Sequence, residues 1–310
     1  MIGRYWLRAA ALSAAAFGLL ALPACRAPDP SAAPPRMEAR PSAGPAIWRL
    51  ADADSTIYLF GTVHLLPDNL AWRSRAFDAA FAKAELLYLE TPTGPAASQD
   101  VGRAVAERGL DLAGPTLEAK LPPVDAQRLS RVLKKLQIAP ASMARMRPWL
   151  ASLQIAVADL SRRGYDPAFG VETILEAEAD KRGLARRYFE TADQQIGFLS
   201  SLSEAEQVGM LSATLRQLES GENADGEMDR LWAQGDVAGL ARLLEEQMGE
   251  AGPAVYDVLL TRRNAAWANQ IAVLMEGRGV VFVAVGAAHL AGPKSVQAML
   301  RAKGFKVEGP

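Results

Sequence analysis

Tyr58-Leu59-Phe60-Gly61-Thr62-Val63-His64 near the start of the chain and Val280-Val281-Phe282-Val283-Ala284-Val285-Gly286-Ala287-Ala288-His289 near its end follow one design, an apolar run and then Gly-x-x-His. Runs this short, rich in β-branched and aromatic residues, read as buried strands. Each histidine then hangs just past a strand's carboxyl end, where open α/β sheets place ligands and catalytic groups. The glycine allows a tight exit with close backbone approach, so that the imidazole can turn back over the sheet edge. These are the only two histidines in the chain, which suggests one shared task.

Working outward from the first motif, Ile47-Trp48-Arg49-Leu50 and Thr56-Ile57-Tyr58-Leu59-Phe60 flank the turn formers Asp52-Ala53-Asp54-Ser55, the pattern of a β-hairpin. Ser74 to Ala84 repeats apolar residues at helical spacing, and Glu85-Leu86-Leu87-Tyr88-Leu89-Glu90-Thr91 reads as a strand ending in a carboxylate. The expected fold is therefore α/β, a mixed central sheet with flanking helices. The middle of the chain reads as a large helical insertion over about 95–260. Within it, Val124 to Leu136, Ala141 to Arg163, Val171 to Arg182, Asp193 to Leu218, Met228 to Gln234 and Val237 to Met248 read as helices. Arg186 to Thr191 reads as a strand, Ala254 to Met275 as a helix, and Phe305 to Glu308 as a closing strand.

The N-terminus combines Arg4 and Arg8 with an apolar stretch from Ala9 to Leu22, too short for the roughly 20 residues that span a bilayer and suited to a secretory signal. Leu22-Pro23-Ala24-Cys25 resembles a bacterial lipobox, so residues 1–24 are expected to be removed and Cys25 to be acylated; cleavage after Ala24, or within Ser31 to Ala33, without a lipid is the alternative. Residues 25–46, rich in Pro, Ala and Ser, read as a tether to the domain from Ile47 onward. Arg26 differs from the aspartate of inner-membrane retention, so the expected location is the periplasmic face of an outer membrane. Cys25 is the only cysteine, which excludes an intrachain disulfide and a thiolate metal site in the domain. A net charge of −1 offers no basic stripe for nucleic acid.

Two histidines make an incomplete metal site, and carboxylates are the remaining ligand candidates. Glu90 ends a strand at the same sheet edge as His64 and His289, and Glu172 opens a helix beside Gly170, where the helix dipole favours negative charge. Arg263 and Asn264 stand on an otherwise apolar helix leading into the His289 strand and suit a substrate carbonyl, a carboxylate or an oxyanion. The plainer alternatives are structural histidines, capping carboxylates, and an Arg263 paired with Asp257 or Glu276 on an exposed face.

Gly61-Thr62-Val63-His64, the strand-ending Glu90, Gly170-Val171-Glu172, Phe189-Glu190-Thr191-Ala192-Asp193-Gln194-Gln195, Arg263-Asn264 and Gly286-Ala287-Ala288-His289-Leu290-Ala291-Gly292 together resemble the TraB/PrgY/GumN family from about Ile47 to Glu308. That family includes the animal TIKI proteins, membrane-associated metalloproteases that trim Wnt proteins, and PrgY, associated with control of a peptide pheromone. The resemblance implies an α/β core with helical insertions and a hydrolase, of peptides by analogy, that depends on a divalent ion such as Mn, Co or Zn. His64, His289 and Glu172 are then the expected ligands and Glu90 the general base, with the two glutamates interchangeable, and Arg263 and Asn264 steady the oxyanion or hold the substrate. Two other functions fit the same residues. One is a non-enzymatic lipoprotein that binds a peptide, haem or metal; the other is a metal-free amidase or esterase with histidine as base. The oligomeric state is not encoded in any of these features.

Overall fold

The computed structural model describes residues 44–220 and 224–310; the expected signal peptide, Cys25 and nearly all of the expected tether lie outside the described residues. The hairpin is formed by β1 (Ile47–Ala51) and β2 (Ser55–Thr62), paired antiparallel with Ile47 opposite Phe60. A short β3 (Leu66–Pro67), helix α1 (Arg75–Ala82) and β4 (Leu86–Leu89) follow. Helices α2 (Gly94–Arg108), α3 (Leu117–Lys120), α4 (Pro123–Leu136), α5 (Pro140–Met143) and α6 (Pro148–Arg162) come next. Then come β5 (Tyr165–Asp166), α7 (Val171–Arg182) and β6 (Ala185–Tyr188). Helices α8 (Ala192–Ser200), α9 (Glu204–Ser220), α10 (Ala224–Ala233), α11 (Val237–Ala251), α12 (Pro253–Tyr256) and α13 (Arg262–Leu274) lead to β7 (Gly279–Gly286), α14 (Val296–Ala302) and β8 (Val307–Glu308).

The fold is α/β, with one mixed sheet of six strands in the order β6-β4-β7-β2-β1-β8. The first four run parallel, and β1 runs against both β2 and β8. Strands β2 and β7 are direct neighbours along eight residues, from Ser55 opposite Gly279 to Thr62 opposite Gly286. The two Gly-x-x-His motifs thus leave the sheet side by side.

Alternation along β7 explains why this sheet is covered on both sides. Phe282 and Ala284 enter one apolar cluster with Phe60, Phe77 and Leu87, whereas Val281, Val283 and Val285 enter another with Leu59, Trp267 and Leu300. Strands buried on both faces carry nearly continuous apolar runs, as these do. A third cluster, built from α4, α6 and α9 around Leu133, Ile155 and Leu215, gives the helical region a core of its own. The stretch 95–260 returns to the main sheet once, as β6.

Three long helical expectations are interrupted, each for a local reason. Ala141 to Arg163 splits because Pro148 lacks an N–H and drives Arg147 into the extended region (φ −68°, ψ 152°). Asp193 to Leu218 splits before α9, where Ser203 accepts from the Glu206 N–H at 3.3 Å and Glu206 Oε2 accepts from the Ser203 N–H at 2.7 Å, a reciprocal cap. Ala254 to Met275 stays helical but contains a π-helical turn, Asp257–Thr261.

Candidate functional site

Four parallel strands deliver chemistry to one edge. Glu190 follows β6, Glu90 follows β4, His289 sits in a single 3-10 turn (Ala287–Leu290) after β7, and His64 lies just past β2. Helix α13 adds Arg263 and Asn264, and the first turn of α7 adds Glu172. All seven side chains are buried, from 1% exposed at His289, Arg263 and Asn264 to 7% at Glu172 and Glu190.

Arg263 is the hub. Its Nη2 donates to Glu90 Oε2 and to Glu190 Oε2, both at 2.8 Å, and its Nε donates to Glu190 Oε1 at 2.9 Å. Nη1 reaches the Leu259 carbonyl and His289 Nε2, each at 3.2 Å. The guanidinium also lies over the rings of Trp267 and Phe198, 4.8 and 5.6 Å from their centroids. Burial opposes its charge, but Glu90 and Glu190 more than restore it, and the Arg263 pKa is raised. Burial likewise lifts the Glu190 carboxyl above its ordinary value despite Arg263, with Glu90 adding to the rise. Glu90 Oε1 accepts the Gly286 N–H at 2.6 Å, which ties β4's carboxylate to the second histidine motif. The solvent-side pairing open to this helix goes to the neighbouring residue: Arg262 Nε meets Asp257 at 2.6 Å, and Arg263 points inward.

The protonation pattern of His289 follows from its neighbours. The Asn264 amide nitrogen donates to the Lys294 carbonyl at 2.8 Å, so its oxygen faces His289 Nδ1 at 2.5 Å. Nδ1 must then carry the proton, leaving the Nε2 lone pair toward Arg263 and toward Glu90 Oε1 at 3.7 Å. Burial, with the positive charge of Arg263 and the nearby His64 imidazole adding to it, holds His289 well below the ordinary imidazole range, so the ring is neutral at pH 7. Trp267 packs on it with ring centroids 4.3 Å apart and donates its indole N–H to Glu190 Oε1 at 2.9 Å.

His64 is seated by α7. The Val171 N–H donates to the Val63 carbonyl at 3.1 Å, and a Cβ at Gly170 would collide with the His64 carbonyl, so only glycine permits this approach. Glu172 Oε1 then lies 2.9 Å from His64 Nδ1. Burial pushes the Glu172 carboxyl up, but its attraction to His64 and the hydrogen bonds from His64 and Thr62 together outweigh it and the pKa is lowered. Gly61 serves the same closeness on the other side, since a Cβ there would stand 3.0 Å from Ala287 Cα in the second motif. Its role is close approach within the strand, and the Trp232 indole N–H caps its carbonyl at 2.8 Å.

The donor chemistry fits a divalent ion with N and O ligands. The neutral His289 presents an Nε2 lone pair, His64 stands on the adjacent strand end, and the buried Glu172 carboxylate lies beside His64 and the Thr62 hydroxyl. Among the described residues no three His, Cys, Asp or Glu side chains gather closely enough to share one ion. An ion bound through His289 Nε2 would displace the 3.2 Å contact that this nitrogen makes with Arg263. Glu90 is the poorer ligand, since its two oxygens already accept from Gly286 and Arg263.

The edge thus brings His64, Glu172, His289, Glu90, Arg263 and Asn264 together. Sequence reasoning passed over Glu190 and Trp267 as site residues. The signal for Glu190 was present: it ends the run Arg186 to Thr191 as Glu90 ends its own strand.

The model of the TraB/PrgY/gumN family matches residues 46–309. The uncharacterized protein YbaP of Escherichia coli (strain K12) is 22% identical over 264 residues, covering 83% of this chain and 92% of its own length. An uncharacterized protein of Treponema pallidum (strain Nichols) is 22% identical over 275 residues, covering 82% of this chain and 79% of its own. No solved structure matches. With a match that runs from the first strand to the last, the chain belongs to the TraB/PrgY/gumN family.

Proposed function

We propose that this protein is a divalent-metal-dependent hydrolase acting on peptides, held in the cell envelope through a lipid on Cys25. The observation that carries the reading is the meeting of two imidazoles from neighbouring parallel strands with buried carboxylates and a guanidinium at one carboxyl edge. His64, His289 and Glu172 would hold the ion, which would supply Lewis acidity for a water and a substrate carbonyl. Glu90 takes a proton from the attacking water, and Arg263 holds Glu90 in place through its 2.8 Å contact. Asn264 fixes the His289 tautomer, and Arg263, freed from the His289 ring, offers Nη1 to the developing oxyanion. Burial strengthens each of these interactions by excluding bulk water.

The test uses the purified full-length chain, stripped of metal and titrated with Mn, Co and Zn, with ions counted by elemental analysis and cleavage of a peptide library read by mass spectrometry. Stoichiometric binding and cleavage, both lost in His64→Ala and His289→Ala, are expected. A folded wild type that binds none of the three ions and cleaves nothing in their presence overturns the reading. One observation favours a metal-free enzyme instead: the 2.9 Å His64–Glu172 contact is the geometry of a base oriented by a carboxylate. Hydrolysis that survives chelation and is lost in Glu172→Gln selects that alternative.

A further inference from the structure

A cavity of about 340 Å³ opens beside the candidate site, between α11 and the loop that carries His289. Its walls are apolar, with Leu244 and Met248 from α11, Tyr256 and Leu260 from the segment before Arg263, and Ala288 and Ala291 flanking His289 on either side. Leu260 adjoins Leu259, whose carbonyl accepts from Arg263, and the cavity also borders Lys294, whose carbonyl accepts from Asn264. One contact of the buried cluster therefore ends on a residue of the cavity wall, and a second ends on the neighbour of one. The volume lies at the small end of ligand pockets, enough for an apolar side chain and its backbone rather than for a large cofactor.

The mouth carries two exposed charges, Lys294 on the histidine loop and Glu245 on α11. The Lys294 ammonium meets no carboxylate among the described ion pairs and lies 5.7 Å from the centroid of the Tyr256 ring. Glu245 faces Tyr256, whose hydroxyl is raised above its ordinary pKa by burial and by that carboxylate. Among the described residues Lys294 is thus a cation without a carboxylate partner, fixed by its backbone to the residue that orients His289. A peptide that places an apolar side chain between Met248 and Ala291 brings its own carboxylate to this ammonium.

We propose that this cavity is the substrate subsite, and that it selects peptides ending in an apolar residue with a free C-terminal carboxylate, the side chain filling the cavity and the carboxylate pairing with Lys294. The proposal rests on the peptide substrate of the preceding reading and adds the end of the chain that is recognised. Met248, unbranched and polarizable, adapts the wall to aliphatic and aromatic residues alike.

The experiment measures binding by calorimetry, on the full-length chain without added metal, so that turnover is not required. The probes are N-acetyl-phenylalanyl-leucine as the free acid, its C-terminal amide, and N-acetyl-glycyl-serine. The free acid is expected to bind about three- to tenfold more tightly than the amide, and the glycyl-serine acid not to bind measurably. Lys294→Met erases the difference between acid and amide. Ala241→Phe, which narrows the cavity from α11, weakens both leucine probes while the melting temperature is retained. Glu245→Gln leaves binding of the acid intact or improves it. Equal binding of acid and amide by the wild type, a preference that survives Lys294→Met, or loss of binding in Glu245→Gln each overturns the proposal. Failure of the hydrolase reading shows differently, as probe binding with this preference and no cleavage in any metal. Metal-dependent cleavage that ignores the C-terminus and the cavity variants sinks the subsite alone.

Discussion

Arg263→Met tests whether the buried cluster is an electrostatic unit, and the structure sets the size of the effect. The substitution keeps much of the aliphatic volume and removes the one guanidinium that meets both Glu90 and Glu190. The two carboxylates are 5% and 7% exposed, so water does not replace the lost donors. Removing one partner of a buried ion pair costs about 3–5 kcal/mol, and two carboxylates share this partner. A domain's whole stability is on the order of 5–15 kcal/mol, so the variant is expected to be marginal at neutral pH. The cost depends on pH with a defined sign. Glu190 already binds its proton more tightly in the folded protein than in the unfolded chain. With that pKa raised on folding, stability is fully present below the unfolded carboxylate value and is lost as pH rises through the folded one. Loss of Arg263 raises the folded value further, which widens the window upward. Urea midpoints of the full-length chain, followed by tryptophan fluorescence between pH 5 and 8.5, should fall far more steeply with pH in the variant than in the wild type. If Arg263→Met does not fold at all, Arg263→Met combined with Glu190→Gln, which removes one orphaned charge, should recover folding. A variant within about 1 kcal/mol of wild type and flat in pH would refute the reasoning, because a buried carboxylate pair without its cation cannot be that inexpensive.

Glu176 sits one turn beyond Glu172, accepts a hydrogen bond from the Thr93 hydroxyl, and is pushed up to about 7, chiefly by burial. Its raised pKa costs stability as pH climbs through that value, so Glu176→Gln should stabilise the protein by about 1–2 kcal/mol at pH 8, after allowance for its partial exposure, and by little at pH 5; parallel urea melts at the two pH values check this. Gly170→Ala should cost about 1–3 kcal/mol through the new Cβ against the His64 carbonyl, and the His64 imidazole signals in an NMR spectrum should shift while those of His289 stay. Asn264→Leu removes the acceptor that fixes the His289 Nδ1 proton, so it should cost about 1–3 kcal/mol and change the tautomer reported by the ring nitrogen shifts; an unchanged tautomer would show that another group fixes it.

How much of this was readable follows from how local each cause is. Both histidine strands, and the carboxylates at Glu90 and Glu172, are written in runs of a few residues, because period-two burial and helix starts are short-range patterns. Pairing of β2 with β7 joins residues more than two hundred positions apart, and only the repetition of Gly-x-x-His pointed to it. Glu190 was passed over for a similar reason. Its run, Arg186-Arg187-Tyr188-Phe189, is polar enough to look like an edge, and β6 is indeed one of the sheet's two edge strands, yet its end reaches the same cluster. Pro148 and the Ser203–Glu206 cap were legible signals of helix breaks that the apolar period alone overrode.

Arg263 required more than periodicity, because helix phase decides whether it or Arg262 faces inward. The π-helical turn Asp257–Thr261 ends directly before Arg262 and adds a residue to one turn, which rotates everything after it by about 100° relative to an uninterrupted α-helix. That rotation lets Tyr256, before the turn, and Leu260, within it, line the cavity wall while the segment after it places Arg263 and Trp267 in the buried cluster. The Leu259 carbonyl, within the turn, accepts from Arg263 Nη1, the nitrogen that also contacts His289 Nε2. Straightening the helix therefore moves the guanidinium and the cavity wall together. On the proposed peptide substrate, a site this closed would have to open, and the π turn is the element that joins the cavity wall to the buried cluster.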